Sequence, residues 1–299
     1  MLTIGSRGSQ LALWQANWVK ARLEERGRDC RIEIIKTTGD KITDVPLAKV
    51  GTKGLFTKEI EDALLDRRVD LAVHSLKDLP TVLPDGLRLA AIPPREDARD
   101  VMVGRRLAEL PNGARIGTSS LRRIAQLRAA RPDFTIESIR GNIDTRLRKL
   151  NEGQYDALVL AAAGLKRLGW EDRIAEYLAE DVMCSAVGQG ALAIETRDEG
   201  DAAEVCAELE DSATRSAVEA ERAVLRTLGG GCQVPIGAHA TITGGALRLA
   251  GIVGAPDGSR IVRREVNGST AEAVKLGEQL GAELLAAGGA EILGTVYGA

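Results

Sequence analysis

The tightest constraint on the fold is a repeated alternation of short apolar strands with helical stretches. Leu2 to Ile4, Arg31 to Lys36, Asp70 to Val73 and Leu89 to Ile92 read as strands, and the stretches at about 9–27 and 56–68 carry apolar residues at helical spacing. Strands joined through a helix close most readily as parallel neighbours with the helix lying across the sheet. The pattern restarts after Pro93 and Pro94, with strands near 101–103, 115–117, 134–138 and 157–161 and helices near 119–130 and 142–152. The sequence therefore predicts two α/β lobes, each on a mainly parallel sheet. Residues 191–196 (ALAIET), after the Gly188-Gln189-Gly190 break, predict a strand that returns to the first lobe and so creates a two-segment hinge. From about 212 the pattern changes to a helix, three alternating strands near 237–243, 247–254 and 261–267, and a helix near 270–287, which is a small α+β domain. The expected division is 1–93 plus 190–210 for the first lobe, 94–189 for the second and 211–299 for the C-terminal domain.

Composition narrows the chemistry. No apolar run approaches the ~18 residues of a membrane span, and Met1-Leu2-Thr3-Ile4 opens as a strand without a basic, apolar leader, so the expectation is a cytoplasmic protein with no membrane partner. Cys30, Cys184, Cys206 and Cys232 show no metal-type or redox-type spacing and are expected as free thiols. With only His74 and His239, a metal site or a Ser/His/Asp triad is not expected, and proton transfer falls to carboxylates or lysines. Residues 104–149 hold eleven Arg or Lys against four Asp or Glu, a net +7 inside a chain of net −3, so the remainder carries −10. A local basic field in an acidic chain points to a bound polyanion.

The basic residues sit in turns. In GTSSLRR (117–123) a strand runs into a helix through Thr118, Ser119 and Ser120, and the first helical turn carries Arg122 and Arg123. Free N–H groups at a helix start, hydroxyls and guanidinium forks together suit carboxylate or phosphate oxygens. RGNIDTRL repeats the arrangement with Arg140 and Arg146, and SRGS supplies Arg7 and Ser9 from the other lobe. The plainer reading is N-capping by serine beside solvated arginines. HSLKDLP (74–80) places Ser75, Lys77 and Asp78 at a strand's carboxyl end, where Asp78 is either an acid/base group or half of a surface ion pair. Lys53 and Phe56 lie in the glycine-rich GTKGLFTKE. Cys232, in LGGGCQVPIG, is a thiol on a loop, readable as a packed residue or as an attachment point.

Taken in order, SRGSQLALWQA, TTGD, KGLFTKE, HSLKDLP, GTSSLRR, RGNIDTRL, LAAAGLKRLG, GQGALAIE and GGCQVPIG resemble the porphobilinogen deaminase (hydroxymethylbilane synthase) family across nearly the whole chain. Thr52 and Gly229 are small departures from the family pattern. The resemblance implies an α/β fold of two periplasmic-binding-protein-like lobes plus a C-terminal α+β domain, and a dipyrromethane cofactor held by a thioether at Cys232. Onto it four porphobilinogen molecules would be added head to tail with loss of ammonia, and hydrolysis would release hydroxymethylbilane for tetrapyrrole synthesis. It implies Asp78 as the catalytic group, helping the amine leave and stabilising the azafulvenium cation. It further implies Arg7, Ser9, Ser75, Lys77, Thr118, Ser120, Arg122, Arg123, Arg140, Arg146, Arg167 and Gln189 as contacts to cofactor and substrate carboxylates, with Lys53 and Phe56 on a loop over the site. The expected partner is the small molecule porphobilinogen, with no nucleic acid, and the expected state is a monomer. The competing reading is a cytosolic two-lobed dicarboxylate-binding protein. A nucleic-acid binder fits poorly, because aromatic residues make up only 3% of the chain and stacking surfaces are correspondingly few.

Overall fold

A computed structural model describes residues 1–41, 57–231 and 234–297. In chain order the first elements are β1 (Leu2–Ser6), α1 (Gln10–Glu24), β2 (Cys30–Ile34), α2 (Thr38–Lys41), α3 (Lys58–Leu65), β3 (Leu71–Ser75) and β4 (Leu87–Ala91). Then come β5 (Asp100–Val103), β6 (Arg115–Gly117), α4 (Leu121–Ala130), β7 (Thr135–Glu137), α5 (Ile143–Asn151), β8 (Ala157–Ala161), α6 (Ala162–Arg167) and β9 (Ile174–Tyr177). The remainder is β10 (Leu192–Arg197), α7 (Ala202–Ala207), α8 (Ser212–Thr227), β11 (Ile236–Thr243), β12 (Ala246–Gly254), β13 (Ile261–Ser269), α9 (Ala273–Leu284) and α10 (Ala290–Tyr297). The chain divides into two units, Met1–Glu96 with Gly190–Arg215, and Asp97–Gln189 with Ser216–Ala299.

The first unit holds a five-stranded sheet of order β2-β1-β3-β10-β4, and the second holds one of order β7-β6-β8-β5-β9. In each, four strands run the same way and one, β10 or β5, is antiparallel to both neighbours. The exceptions are physical: β5 and β10 are each reached by a direct segment from the other unit, without a crossover helix to force parallel pairing. Both faces of each sheet are covered, which explains why strands such as LAV (71–73) and LVL (158–160) are apolar without alternation. In the first unit Ile4, Leu71, Val73 and Ile194 pack with α1 and α7, while Ala72 faces Ile60, Ala63 and Leu64 of α3. In the second, Met102, Ile116 and Val159 pack with Leu127 of α4, while Val101, Leu158 and Leu160 pack with Leu147 of α5 and Leu165 of α6.

The C-terminal layer is an antiparallel sheet, β11-β12-β13, with a core shared by α8 and α9. It belongs to the second unit and is fastened to it at several points. Arg128 Nη1 at the far end of α4 donates to the Pro256 carbonyl at 2.8 Å, and Ala238 N donates to the Ser185 carbonyl at 3.1 Å. The buried Glu221 of α8 accepts from Gly188 N at 2.7 Å and from Ala240 N at 2.8 Å, one per carboxylate oxygen. The final helical stretch does not stop at 287: Gly288, at φ +107°, kinks it and α10 continues.

Candidate active site

In the first unit the parallel strands β1 and β3 bring their carboxyl ends to one edge of the sheet, and the turns that follow carry the predicted groups. Ser9 caps α1, its hydroxyl accepting from Ala12 N at 3.3 Å, and half-buried Arg7 precedes it. Gln15, 2% exposed on α1, donates from Nε2 to Ser75 Oγ at 2.9 Å and so ties the helix to the end of β3. There the chain makes a short 3₁₀ turn, Leu76–Asp78. Leu76 is 1% exposed and its N–H donates to the Ala191 carbonyl at 3.0 Å, so one turn residue is sunk into the core while Lys77 is half-buried and Asp78 stands out. The rigid anchor and the outward carboxylate come from one three-residue turn.

In the second unit the carboxyl ends of β6, β7 and β8 do the same. Thr118 is buried, its N–H bonded to the Glu137 carbonyl at 3.0 Å and its hydroxyl accepting from Ser120 N at 3.3 Å. Ser120 is the N-cap residue of α4 and makes no side-chain cap hydrogen bond. Ser119, by contrast, is spent on structure: its hydroxyl meets Ser138 Oγ at 2.8 Å and donates to the Ile139 carbonyl at 2.7 Å, stitching two turns together. Arg140 is half-buried after β7, Arg146 Nε in α5 donates to the Gly141 carbonyl at 2.8 Å, and buried Arg167 ends α6.

Arg122 and Arg123 are not solvated. Both point inward from α4 onto Asp100, the first residue of β5, which is completely buried. Arg122 Nη1 donates to Asp100 Oδ2 at 2.6 Å and to the Cys184 carbonyl at 2.6 Å. Arg123 donates to Asp100 Oδ1 from Nε at 3.0 Å and Nη2 at 2.6 Å, and from Nη1 to the Val159 carbonyl at 2.9 Å. Gln189 Nε2 donates to the same Oδ1 at 3.0 Å and to the Ala98 carbonyl at 2.7 Å. Burial alone would raise the Asp100 carboxyl, but the two guanidiniums hold it well below the usual carboxylate range. Burial of Arg123 works the other way and lowers it. The cluster therefore sets two buried cations against one anion, and among the described residues the buried Arg122 Nε has no hydrogen-bond partner.

Elsewhere the basic segment is less charged than its composition implies. Arg115 pairs with Asp156, Arg131 with Asp133 and Arg148 with Glu152, two of these acids lying beyond residue 149. The net +7 is thus partly neutralised by acids from outside the segment, including Asp100, and the excess concentrates where two arginines share one partner. Among the described residues no group of three or more His, Cys, Asp or Glu is placed to hold a metal ion, and no helix is long and apolar enough to cross a membrane. Cys232, Lys53 and Phe56 lie outside the described residues. Asp100 and Gln15 escaped the sequence reading; an acid opening an otherwise apolar strand, DVMV, was the available signal for the first.

Two family models match the chain: "Porphobilinogen deaminase, dipyromethane cofactor binding domain" over residues 2–205 and "Porphobilinogen deaminase, C-terminal domain" over residues 216–286. The chain belongs to the porphobilinogen deaminase family. Relatives named porphobilinogen deaminase include one from Syntrophobacter fumaroxidans, 55% identical over 99% of this chain and 98% of that protein, and one from Geobacter sulfurreducens, 53% identical over 99% and 95%. This makes the chain a member of an enzyme family and sets aside the dicarboxylate-binding alternative. Similar backbones include a periplasmic substrate-binding protein from Coxiella burnetii (13% identical, 70% of this chain and 91% of that one, TM-score 0.43). An ancestral cationic amino acid solute-binding protein is comparable (12% identical, 70% and 87%, TM-score 0.44). Each lobe is built on a five-stranded mixed sheet and the C-terminal domain on a three-stranded antiparallel sheet.

The residues present fit a dipyrromethane, whose two pyrrole rings carry acetate and propionate side chains. The second unit offers the first-turn N–H groups of α4, an uncommitted cap hydroxyl at Ser120 and a surplus buried positive charge with an orphaned Arg122 Nε. Anionic side chains are what such a site lacks.

Proposed function

We propose that the chain condenses four porphobilinogen molecules head to tail, releasing one ammonia per ring, onto a dipyrromethane attached by a thioether to Cys232, and then hydrolyses off hydroxymethylbilane. When bound, the dipyrromethane supplies the pyrrole carbon on which extension begins. The observation on the molecule that supports the reading is the Arg122–Asp100–Arg123 cluster, in which two buried guanidiniums share a single carboxylate.

Asp78 serves each addition. As an acid it gives its proton to the departing amine, and as a carboxylate it stabilises the positive charge that develops on the pyrrole as that nitrogen leaves. It then accepts the proton released when the new carbon–carbon bond forms, which restores it for the next ring. Its seat suits this work, because the buried Leu76 fixes the turn while Asp78 remains exposed to a substrate. Arg7, Ser9, Ser75 and Lys77 at the first sheet's edge, and Thr118, Ser120, Arg140, Arg146, Arg167 and Gln189 at the second's, hold acetate and propionate groups or orient the groups that do. Lys53 and Phe56 cover the bound chain. The protein works as a cytoplasmic monomer without nucleic acid or membrane partners; its buried free thiols Cys30, Cys184 and Cys206 suit a reducing compartment.

Asp78→Asn tests the assignment of the chemistry. Ammonia release from porphobilinogen should fall by at least ~10³-fold while the melting temperature and the cofactor mass stay at wild-type values. Near-normal release would remove Asp78 from the role.

A further inference from the structure

Residues 122 and 123 are consecutive on α4, so their side chains leave the helix about 100° apart and do not ordinarily face a common partner. Here they converge: Arg122 takes Asp100 Oδ2 and Arg123 takes Oδ1, with Gln189 completing the set on Oδ1. Among the described residues, four side-chain hydrogen bonds reach Asp100 from these three residues, and the carboxylate is 0% exposed, so it is shielded from any ligand. The cluster nevertheless carries a net charge of one plus, with an unpartnered donor at Arg122 Nε. Burying a net charge is costly, and the cost grows with the square of that charge.

We propose that Asp100 is a built-in counter-anion and positioning residue that sets the capacity of the Arg122/Arg123 pair at one ligand carboxylate. It aligns the two guanidiniums before the cofactor arrives and leaves one charge for a pyrrole side-chain carboxylate to neutralise. With that carboxylate bound the cluster is neutral. With Asp100 absent it holds one surplus charge when loaded and two when empty. The inference rests on the proposed function, in which pyrrole carboxylates reach this cluster.

The test is Asp100→Asn, which keeps the side-chain shape and a carbonyl acceptor, made in two full-length backgrounds: the normal chain, and Cys232→Ala, which has no thiol to hold the cofactor. By the square of the net charge, replacement raises the penalty from zero to one unit in the loaded chain and from one to four in the empty chain. The melting temperature should therefore fall about three times as far in the Cys232→Ala background. Equal falls in the two backgrounds would overturn the proposal. If Asp100→Asn prevents folding of the empty chain, Asp100→Asn with Arg122→Gln decides the matter. That pair returns the net charge to one plus and should restore a cooperative melt, whereas a double variant that also fails to fold would overturn charge balance as the role. Intact mass keeps this separate from the functional reading: an active, unmodified wild-type chain defeats the reading of Cys232, while unchanged pairing of melting temperatures defeats only the role of Asp100.

Discussion

The fastening of the C-terminal sheet to α4 can be tested at one glycine. Gly258 lies in the turn between β12 and β13 at φ +79°, its N–H bonded to the Ala255 carbonyl at 2.8 Å, and the turn presses on the helix that carries Arg122 and Arg123. A Cβ there would sit 2.5 Å from Arg128 Cβ, 2.7 Å from the Arg128 carbonyl carbon and 2.8 Å from Ala129 N. Carbon contacts settle at roughly 3.5–4 Å, and two of these three atoms are helix backbone, so in Gly258→Ala the turn must retreat by about 1 Å. The left-handed conformation costs an alanine ~1 kcal/mol, loss of the Arg128–Pro256 hydrogen bond ~1 kcal/mol, and the opened contact a further ~1–2 kcal/mol. Gly113, in the same unit at φ +75° with nothing within 4 Å of its would-be Cβ, is the control that isolates the first of these costs. Calorimetry should show Gly258→Ala lowering the melting temperature by about 8 °C and Gly113→Ala by about 2–3 °C, at roughly 2–3 °C per kcal/mol. Turnover should fall only in Gly258→Ala, because only that change shifts α4. If Gly258→Ala costs no more than Gly113→Ala, the sheet is not bearing on α4 as described.

Other outcomes follow from the buried groups. Burial pushes the Glu61 carboxyl up, aided by nearby Glu195 and opposed by the Thr57 hydroxyl, and among the described residues the buried Glu61 Oε1 has no partner. Stability tied to protonated Glu61 is complete below the unfolded value of about 4.3 and is lost as pH rises through the raised folded value. Glu61→Gln should therefore raise the melting temperature at pH 7, with the gain vanishing towards pH 4; a gain independent of pH would contradict this. Burial pushes Cys184 and Cys206 up to about 12 and raises Cys30. At pH 8, iodoacetamide should therefore label one thiol, Cys232, in chains made without porphobilinogen and none in loaded chains, whereas rapid labelling of Cys184 or Cys206 would refute their burial. Arg140→Ala should accumulate an incompletely extended chain visible by mass, and uniform slowing of every addition would count against a carboxylate track through Arg140.

The sequence revealed elements wherever a buried strand and a periodic helix alternate, which covers β1 to β8, β10, α1, α3, α4, α5 and most of the C-terminal layer. It missed α6 because AAGLKR is short and follows β8 without a break, and it missed β9 because IAEY is an edge strand with half-buried residues throughout. The antiparallel entries of β5 and β10 depend on where a connecting segment arrives, which local pattern does not encode. The same holds for the site. Arg122 and Arg123 were legible as anion-binding residues, yet their burial against Asp100, 22 residues away from Arg122, is a tertiary fact. Ser119, indistinguishable in sequence from Thr118 and Ser120, is spent on joining two turns. The sequence placed Asp78 at the carboxyl end of β3, and the structure puts it on the exposed side of the turn that follows.

Attachment of the growing chain to Cys232 is open to direct test by intact mass with peptide mapping. Purified active protein should carry an added mass equal to two pyrrole units, found on the peptide that contains Cys232. A fully active protein whose mass is that of the bare polypeptide would rule out attachment at Cys232.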